Sequence, residues 1–129
     1  MKILITGSSG LIGSEAVRYF ASLGHKVFGI DNNMRADFFG RQGDTVWNRD
    51  LLLETISSFS HFDLDIRDRE KVGELFSTYA FDGVIHCAAQ PSHDLAAKRP
   101  FDDFEVNALG TLNLLEACRQ HCLESPFIF

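Results

Sequence analysis

Thr6-Gly7-Ser8-Ser9-Gly10-Leu11-Ile12-Gly13 sets three glycines in the spacing G-x-x-G-x-x-G. The residues before it, Lys2-Ile3-Leu4-Ile5-Thr6, are apolar and partly β-branched, as in a buried strand. After it, Leu11, Ile12, Ala16, Val17, Phe20 and Leu23 recur at helical spacing, and Gly24 stands where a helix-ending glycine belongs. The loop therefore joins a strand to a helix. Gly7 permits the tight turn, Gly10 lets a diphosphate approach the backbone, and Gly13 lets the helix pack closely on the sheet. N–H groups at a helix start carry partial positive charge and attract phosphate. No lysine or arginine lies in the loop, so the backbone supplies that attraction. The competing reading is a flexible glycine turn.

Outward from the loop, strand-like and helix-like segments alternate. Lys26-Val27-Phe28-Gly29-Ile30 reads as a second strand. Residues 32–60 are the least regular, with Asn32-Asn33, Gly40, Gly43, the pair Phe38-Phe39 and a short helix around Trp47 to Thr55. His61 to Ile66 reads as a third strand, and Asp68 caps a helix through Val72, Leu75, Phe76 and Tyr79. Gly83 to Cys87 is a fourth strand, and a polar loop with Pro91 and Pro100 leads to a long helix over Phe101 to His121. Pro126-Phe127-Ile128-Phe129 opens a fifth strand. Strands that read as continuous apolar runs between helices belong to a parallel sheet covered on both faces. With right-handed crossovers, the expected fold is a doubly wound, Rossmann-like α/β sheet.

Asp31 ends the second strand 18 residues after Gly13, near the offset of about 20 expected of an acid that accepts hydrogen bonds from a ribose. Together with the glycine loop it points to a dinucleotide. A carboxylate there repels a 2′-phosphate, which favours NAD over NADP, although Arg35 nearby works against that preference. The competing reading of Asp31 is a solvated strand-end acid.

Asp65-Ile66 follows the third strand, where a carboxylate would meet an adenine amino group beside an apolar contact; a helix-capping role is the alternative. Cys87-Ala88-Ala89-Gln90 ends the fourth strand with small residues that leave room for a ligand, though Cys87 also fits a core role and His86 reads as a packed strand residue. Asn107 would tether the loop after the fourth strand or lie exposed. Cys118 and Cys122, one turn apart beside His121, read as packing residues rather than a metal pair.

Composition narrows the function classes. The 129 residues carry 12 Lys and Arg against 18 Asp and Glu, a formal charge of −6, so non-specific nucleic-acid binding is not expected. No apolar run approaches the roughly 20 residues of a membrane span, and the start is too short in apolar residues for a secretory signal. Three cysteines without a CxxC pair suit neither a disulfide framework nor a zinc site. The cytoplasm is the expected compartment.

The ordered set Thr6-Gly7-x-x-Gly10-x-x-Gly13, Asp31-Asn32, Asp65-Ile66-Arg67-Asp68, His86-x-Ala88-Ala89 and Asn107-x-x-Gly110-Thr111-x-Asn113-Leu114-Leu115-Glu116-Ala117 resembles the amino-terminal part of an extended short-chain dehydrogenase/reductase, in the NAD-dependent epimerase/dehydratase group. Ala89-Gln90, Asp103-Phe104-Glu105-Val106-Asn107 and the stretch from Asn32-Asn33-Met34-Arg35 to Trp47-Asn48 are similar to the CDP-paratose/CDP-tyvelose 2-epimerase branch; Phe104 stands where many relatives carry tyrosine.

The resemblance implies that NAD takes a hydride from a nucleotide sugar, giving a keto intermediate, and returns it to the other face. It implies cofactor contacts at Gly7, Ser9, Gly10, Leu11, Ile12, Gly13, Asp31, Asn32, Asp65, Ile66, Cys87, Ala88, Ala89, Gln90 and Asn107, and pairing of the full-length protein as a homodimer. A 4,6-dehydratase, a 4-epimerase and a non-catalytic NAD-sensing module share these motifs. Such enzymes use Tyr-x-x-x-Lys, but four residues after Tyr19 and Tyr79 stand Leu23 and Gly83. Residues 1–129 are thus expected to be the dinucleotide-binding domain of a longer enzyme, whose catalytic and sugar-binding parts lie elsewhere.

Overall fold

The computed structural model describes residues 1–129. Five parallel strands form one sheet: β1 (Lys2–Thr6), β2 (Lys26–Ile30), β3 (Phe59–Phe62), β4 (Gly83–His86) and β5 (Phe127–Ile128), in the order β3-β2-β1-β4-β5. After β1 the chain builds outward through β2 and β3, then crosses back to place β4 on the other side of β1. This is the doubly wound order, and its reversal lies between β1 and β4.

Alternation along the strands feeds two cores. Leu4, Phe28, Ile30 and Val84 face α4 (Arg69–Tyr79) and α7 (Thr111–His121), where they pack with Val72, Phe76, Phe81 and Leu114. Ile3, Ile5 and Val27 face the other side, with Val17 of α1 (Leu11–Ser22) and Leu52 of α3 (Val46–Thr55). Both faces of β1, β2 and β4 are covered, so these strands carry no polar stripe. Cys118 belongs to the first core and Cys122 packs against it. Burial and the neighbouring thiol push Cys118 up to about 12, which keeps it a neutral packing group.

The ends of the helices follow local chemistry. Asp68 caps α4 by accepting from the Lys71 N–H. Gly24, just past α1, sits at φ +81, the left-handed position favoured by glycine.

Three expectations need correction. The third strand is Phe59–Phe62, not His61–Ile66. Its last partner is Ile30, and beyond that β2 offers no further register. Leu64 and Ile66 alternate like strand residues because a loop delivers both into the core. The helix over 101–121 is also not uniform. It starts as α6 (Pro100–Phe104), widens by a π-type turn over Glu105–Gly110 and continues as α7. Finally, the loop after β4 contains α5 (His93–Lys98), capped by the Ser92 hydroxyl accepting from the Leu95 N–H. Between β2 and α3 lie α2 (Met34–Phe39) and a 3₁₀ turn over Gly40–Gly43.

Candidate functional site

The carboxyl ends of β1, β2 and β4 and the loop after β3 open onto one crevice of about 270 Å³. Its floor is the glycine loop. Gly7 takes φ +64, and a Cβ there would lie 2.8 Å from the Ala88 nitrogen. A Cβ on Gly13 would lie 2.0 Å from the Gly7 carbonyl oxygen. Gly13 is therefore needed for packing of the helix on its own entry loop, rather than on the sheet. The first main-chain bond of α1 runs from the Ser14 N–H to the Gly10 carbonyl, and no side chain caps the helix. The N–H groups of Leu11, Ile12 and Gly13 are left without main-chain partners, at the positive end of the helix.

Asp31 lies at the crevice wall, at the end of β2. Its Oδ2 accepts from the Ser9 N–H at 3.0 Å and its Oδ1 from the Asn33 N–H at 2.8 Å. The carboxylate is thus aimed by the loop it serves, and two main-chain donors balance part of its charge. Asp65 is pinned by Arg67 through Nε, Nη2 and the main-chain N–H, and by Asn32 Nδ2 at 3.1 Å. Burial pushes its carboxyl up, but the Arg67 contacts outweigh this and hold it below the usual range. Helix capping falls instead to Asp68.

All the residues singled out from sequence line this crevice except Ser9, Gln90 and Asn107. Those three stand behind its wall. Ser9 is buried, its N–H spent on Asp31 and its carbonyl on Asn48. The Asn107 side chain makes a reciprocal pair with the Gln90 main chain, accepting at 2.9 Å and donating at 3.0 Å. This is the tether expected of it, and the π-type turn carries it. Arg35 lines the crevice with its guanidinium 4.9 Å from the Phe39 ring.

Sequence reasoning missed three supports. Asn48, buried in α3, donates to the Ser9 carbonyl at 2.9 Å and accepts from Arg18 at 3.0 Å, so it ties the glycine loop to α3. Arg67 orients Asp65. Gly29 makes room for Ser8, since a Cβ there would meet the Ser8 Oγ at 2.4 Å. A glycine inside an apolar strand is a readable mark of such close approach; Asn48 left no comparable signal.

His86, at the end of β4, bonds to β1 on one side and to α7 on the other. Thr6 Oγ1 accepts from the Ala88 N–H, so its own proton goes to His86 Nδ1 at 2.6 Å. Thr111 donates to the Asn107 carbonyl, so His86 Nε2–H donates to Thr111 at 3.0 Å. Both ring nitrogens are thereby satisfied in the neutral form, and burial lowers the pKa. The unfolded chain then binds a proton that the folded chain refuses, so stability falls as pH drops below the ordinary imidazole value of about 6.5. Urea unfolding at pH 7.5 and 5.5 should show that loss, and His86→Asn should shrink the difference between the two pH values. An unchanged difference in the variant would remove His86 as its source.

Parallel strands in this order, a bare glycine loop and a carboxylate at the end of β2 define a Rossmann-type α/β domain. The profile of the NAD dependent epimerase/dehydratase family matches residues 3–129. The chain belongs to this family. It is 36% identical over 121 residues to the CDP-paratose 2-epimerase of Salmonella typhi, covering 94% of this chain and 33% of that protein. It is 33% identical to a probable dTDP-glucose 4,6-dehydratase of Sinorhizobium fredii, covering 94% and 32%. Among solved structures, the UDP-glucose 4-epimerase of Thermus thermophilus in complex with NAD superposes with a TM-score of 0.78 at 36% identity, covering 98% of this chain and 36% of that one. The chain spans about a third or less of the length of the curated relatives it matches. No helix is long and apolar enough to cross a membrane, and no group of three or more His, Cys, Asp or Glu side chains is placed to hold a metal ion.

Proposed function

We propose that residues 1–129 form the NAD-binding domain of a nucleotide-sugar epimerase. The observation that carries this reading is that the open N–H groups of α1 and the Asp31 carboxylate border one crevice. The fit is specific. The loop has no side chain to fill the diphosphate position, and Gly7 and Gly13 are packed against main chain in a way that only glycine allows. Leu11, Ile12 and Gly13 would hold the diphosphate through their N–H groups, Asp31 the adenosine ribose, and Asp65 with Ile66 the adenine. Ala88 and Ala89 would give the dinucleotide a flat passage toward the nicotinamide end. Bound NAD would supply an acceptor and donor of hydride. The chain's own part is to bind and orient it. Ser9, Asn48, Gln90 and Asn107 act through the residues they position.

The relatives act on CDP-, dTDP- and UDP-sugars, as their names state. We take a nucleotide sugar as the substrate class of the whole enzyme; 2-epimerisation, 4-epimerisation and 4,6-dehydration are all represented among its relatives. The exposed apolar face of Phe101, Phe104, Leu112 and Leu115 supports pairing of two copies through α6 and α7. Three free cysteines suit the reducing cytoplasm.

Isothermal titration of the chain with NAD tests the reading. Binding with one-to-one stoichiometry is expected, together with no turnover of CDP-, UDP- or dTDP-sugars, because no Tyr-x-x-x-Lys is present. Absence of NAD binding by a folded chain would overturn the cofactor assignment. Turnover would overturn the division of labour.

A further inference from the structure

Residues 34–43 stand apart from the rest of the fold. They comprise α2 and the 3₁₀ turn after it, and no α2 residue is fully buried. Met34 and Phe38 touch the first core from its edge and stay partly exposed. The two ends of the segment are pinned to each other. Asn33 Nδ2 donates to Asp44 Oδ1 at 3.1 Å, and Asn33 Oδ1 accepts from the Thr45 N–H at 2.9 Å. Asn33 has φ 57 and Gly40 has φ 65, so a left-handed residue stands at each end of α2. Inside the segment the fit is close: a Cβ on Gly43 would strike the Arg35 carbonyl. A piece that is stiff inside, closed at its base and thinly packed outside moves as one body about that base.

This body forms one side of the crevice, where Met34, Arg35, Phe38 and Phe39 line it. α2 follows β2 and Pro91 follows β4, and these strands flank β1, so Pro91 lines the other side. Arg99, between α5 and α6, spans the gap without lining the crevice itself. Its Nη1 donates to Asp37 Oδ2 of α2 at 3.1 Å, and its guanidinium lies 5.3 Å from the centre of the Phe38 ring. Its Nε donates to Asp102 of α6. Asp102 thus holds the guanidinium to the body of the domain, while Asp37 and Phe38 receive it on the α2 side. The bond to Asp37 is the one hydrogen bond made by any side chain of residues 34–43.

We propose that residues 34–43 are a hinged flap gating the adenosine half of the crevice, with Arg99 as the positioning residue that latches it shut. This rests on the NAD reading of the crevice. The latch contacts run between protein groups alone, so they oppose entry and exit of the dinucleotide alike. The pair is open to solvent, with side chains 41% exposed at Arg99 and 64% at Asp37. Such a pair is weak. The flap therefore opens readily, and Arg99 sets how often.

Stopped-flow mixing with NADH, followed by its fluorescence, and displacement of bound NADH by excess NAD measure the two rates. Arg99→Ala and Asp37→Ala are each expected to speed association and dissociation together by about fivefold, the scale of one exposed ion pair, and to leave the Kd within about twofold. The double variant should be no faster than Arg99→Ala, since both substitutions break one contact. Thermal melts of the variants should stay close to the wild type. Should Arg99→Ala melt early, Asp37→Ala, which keeps the Arg99–Asp102 pair, carries the test. A residue that only shapes the crevice would change dissociation and Kd and leave association alone. If NADH binds and the variants keep the wild-type rates, or if dissociation alone changes, the flap is wrong while the NAD reading stands. If a folded wild type binds neither NADH nor NAD, the NAD reading fails and takes the flap with it.

Discussion

Gly13→Ala is expected to abolish detectable NAD binding and to lower the unfolding midpoint by about 10 °C, the shift that 2–3 kcal/mol produces in a domain of this size. The added Cβ would lie 2.0 Å from the Gly7 carbonyl oxygen and 2.7 Å from its carbon. Both are main-chain atoms, so no rotamer change relieves the clash. Gly7 cannot retreat, because its own position is set by close contact with the Ala88 and Cys87 backbone. Either α1 lifts from the loop or the loop opens, and overpacking of this kind costs about 1–3 kcal/mol or more. Gly10→Ala separates folding from binding. Its Cβ would meet only the Gly7 oxygen, at 3.3 Å, a gap that a few tenths of an ångström relieves. That variant should unfold within a few degrees of the wild type yet bind NAD less tightly, since the methyl group stands where the diphosphate must approach. Thermal melts and titrations of the two variants check the argument. A Gly13→Ala chain that melts with the wild type would show that the packing of α1 on the loop is not tight.

The contrast between these glycines shows what was legible in the sequence. The strand-to-helix position of the loop could be read directly, because β1 and α1 have unmistakable and different hydrophobic periods. So could β2 and β4, which are buried on both faces and carry no polar alternation to confuse them. The place of Asp31, just past β2 on the crevice, was readable from its offset. β3 was misplaced because Leu64 and Ile66 mimic a strand, and nothing local says that β2 ends at Ile30 and leaves them unpaired. The π-type turn was invisible for a related reason. Its Asn107 meets the Gln90 backbone, 17 residues away, a contact no local pattern announces. Asn48 and Arg67 were missed for want of the same long-range knowledge: their roles exist only once α3 lies beside the glycine loop and the loop after β3 folds back. Local periodicity encodes the elements and the ligand-facing backbone, whereas the supports of that backbone are encoded in which elements become neighbours.

Asp31→Ala should raise the Kd for NAD about 100-fold, because the carboxylate has two separable tasks and the variant loses both. Under the proposed NAD reading it offers charged acceptors to ribose hydroxyls, and a hydrogen bond to a charged group contributes about 1.5–3 kcal/mol. Towards the protein, it receives the Ser9 and Asn33 N–H groups. Ser9 is 3% exposed, so its orphaned donor would go unsatisfied at a cost of about 1–3 kcal/mol, and the variant should be measurably less stable as well. Asp31→Asn divides the tasks. Its carbonyl oxygen still accepts from one main-chain donor, but its amide turns a donor toward the other and carries no charge. Stability should fall less than in Asp31→Ala while much of the ribose affinity is lost. Titrating wild type and Asp31→Ala with NAD and with its 2′-deoxyadenosine analogue closes a double-difference cycle. The wild type should prefer the hydroxylated cofactor, and the preference should vanish in the variant. If the variant keeps it, the ribose is held by another group and the crevice must be read with the dinucleotide in a different orientation. If the variant binds NAD as tightly as the wild type, Asp31 serves only to aim the glycine loop.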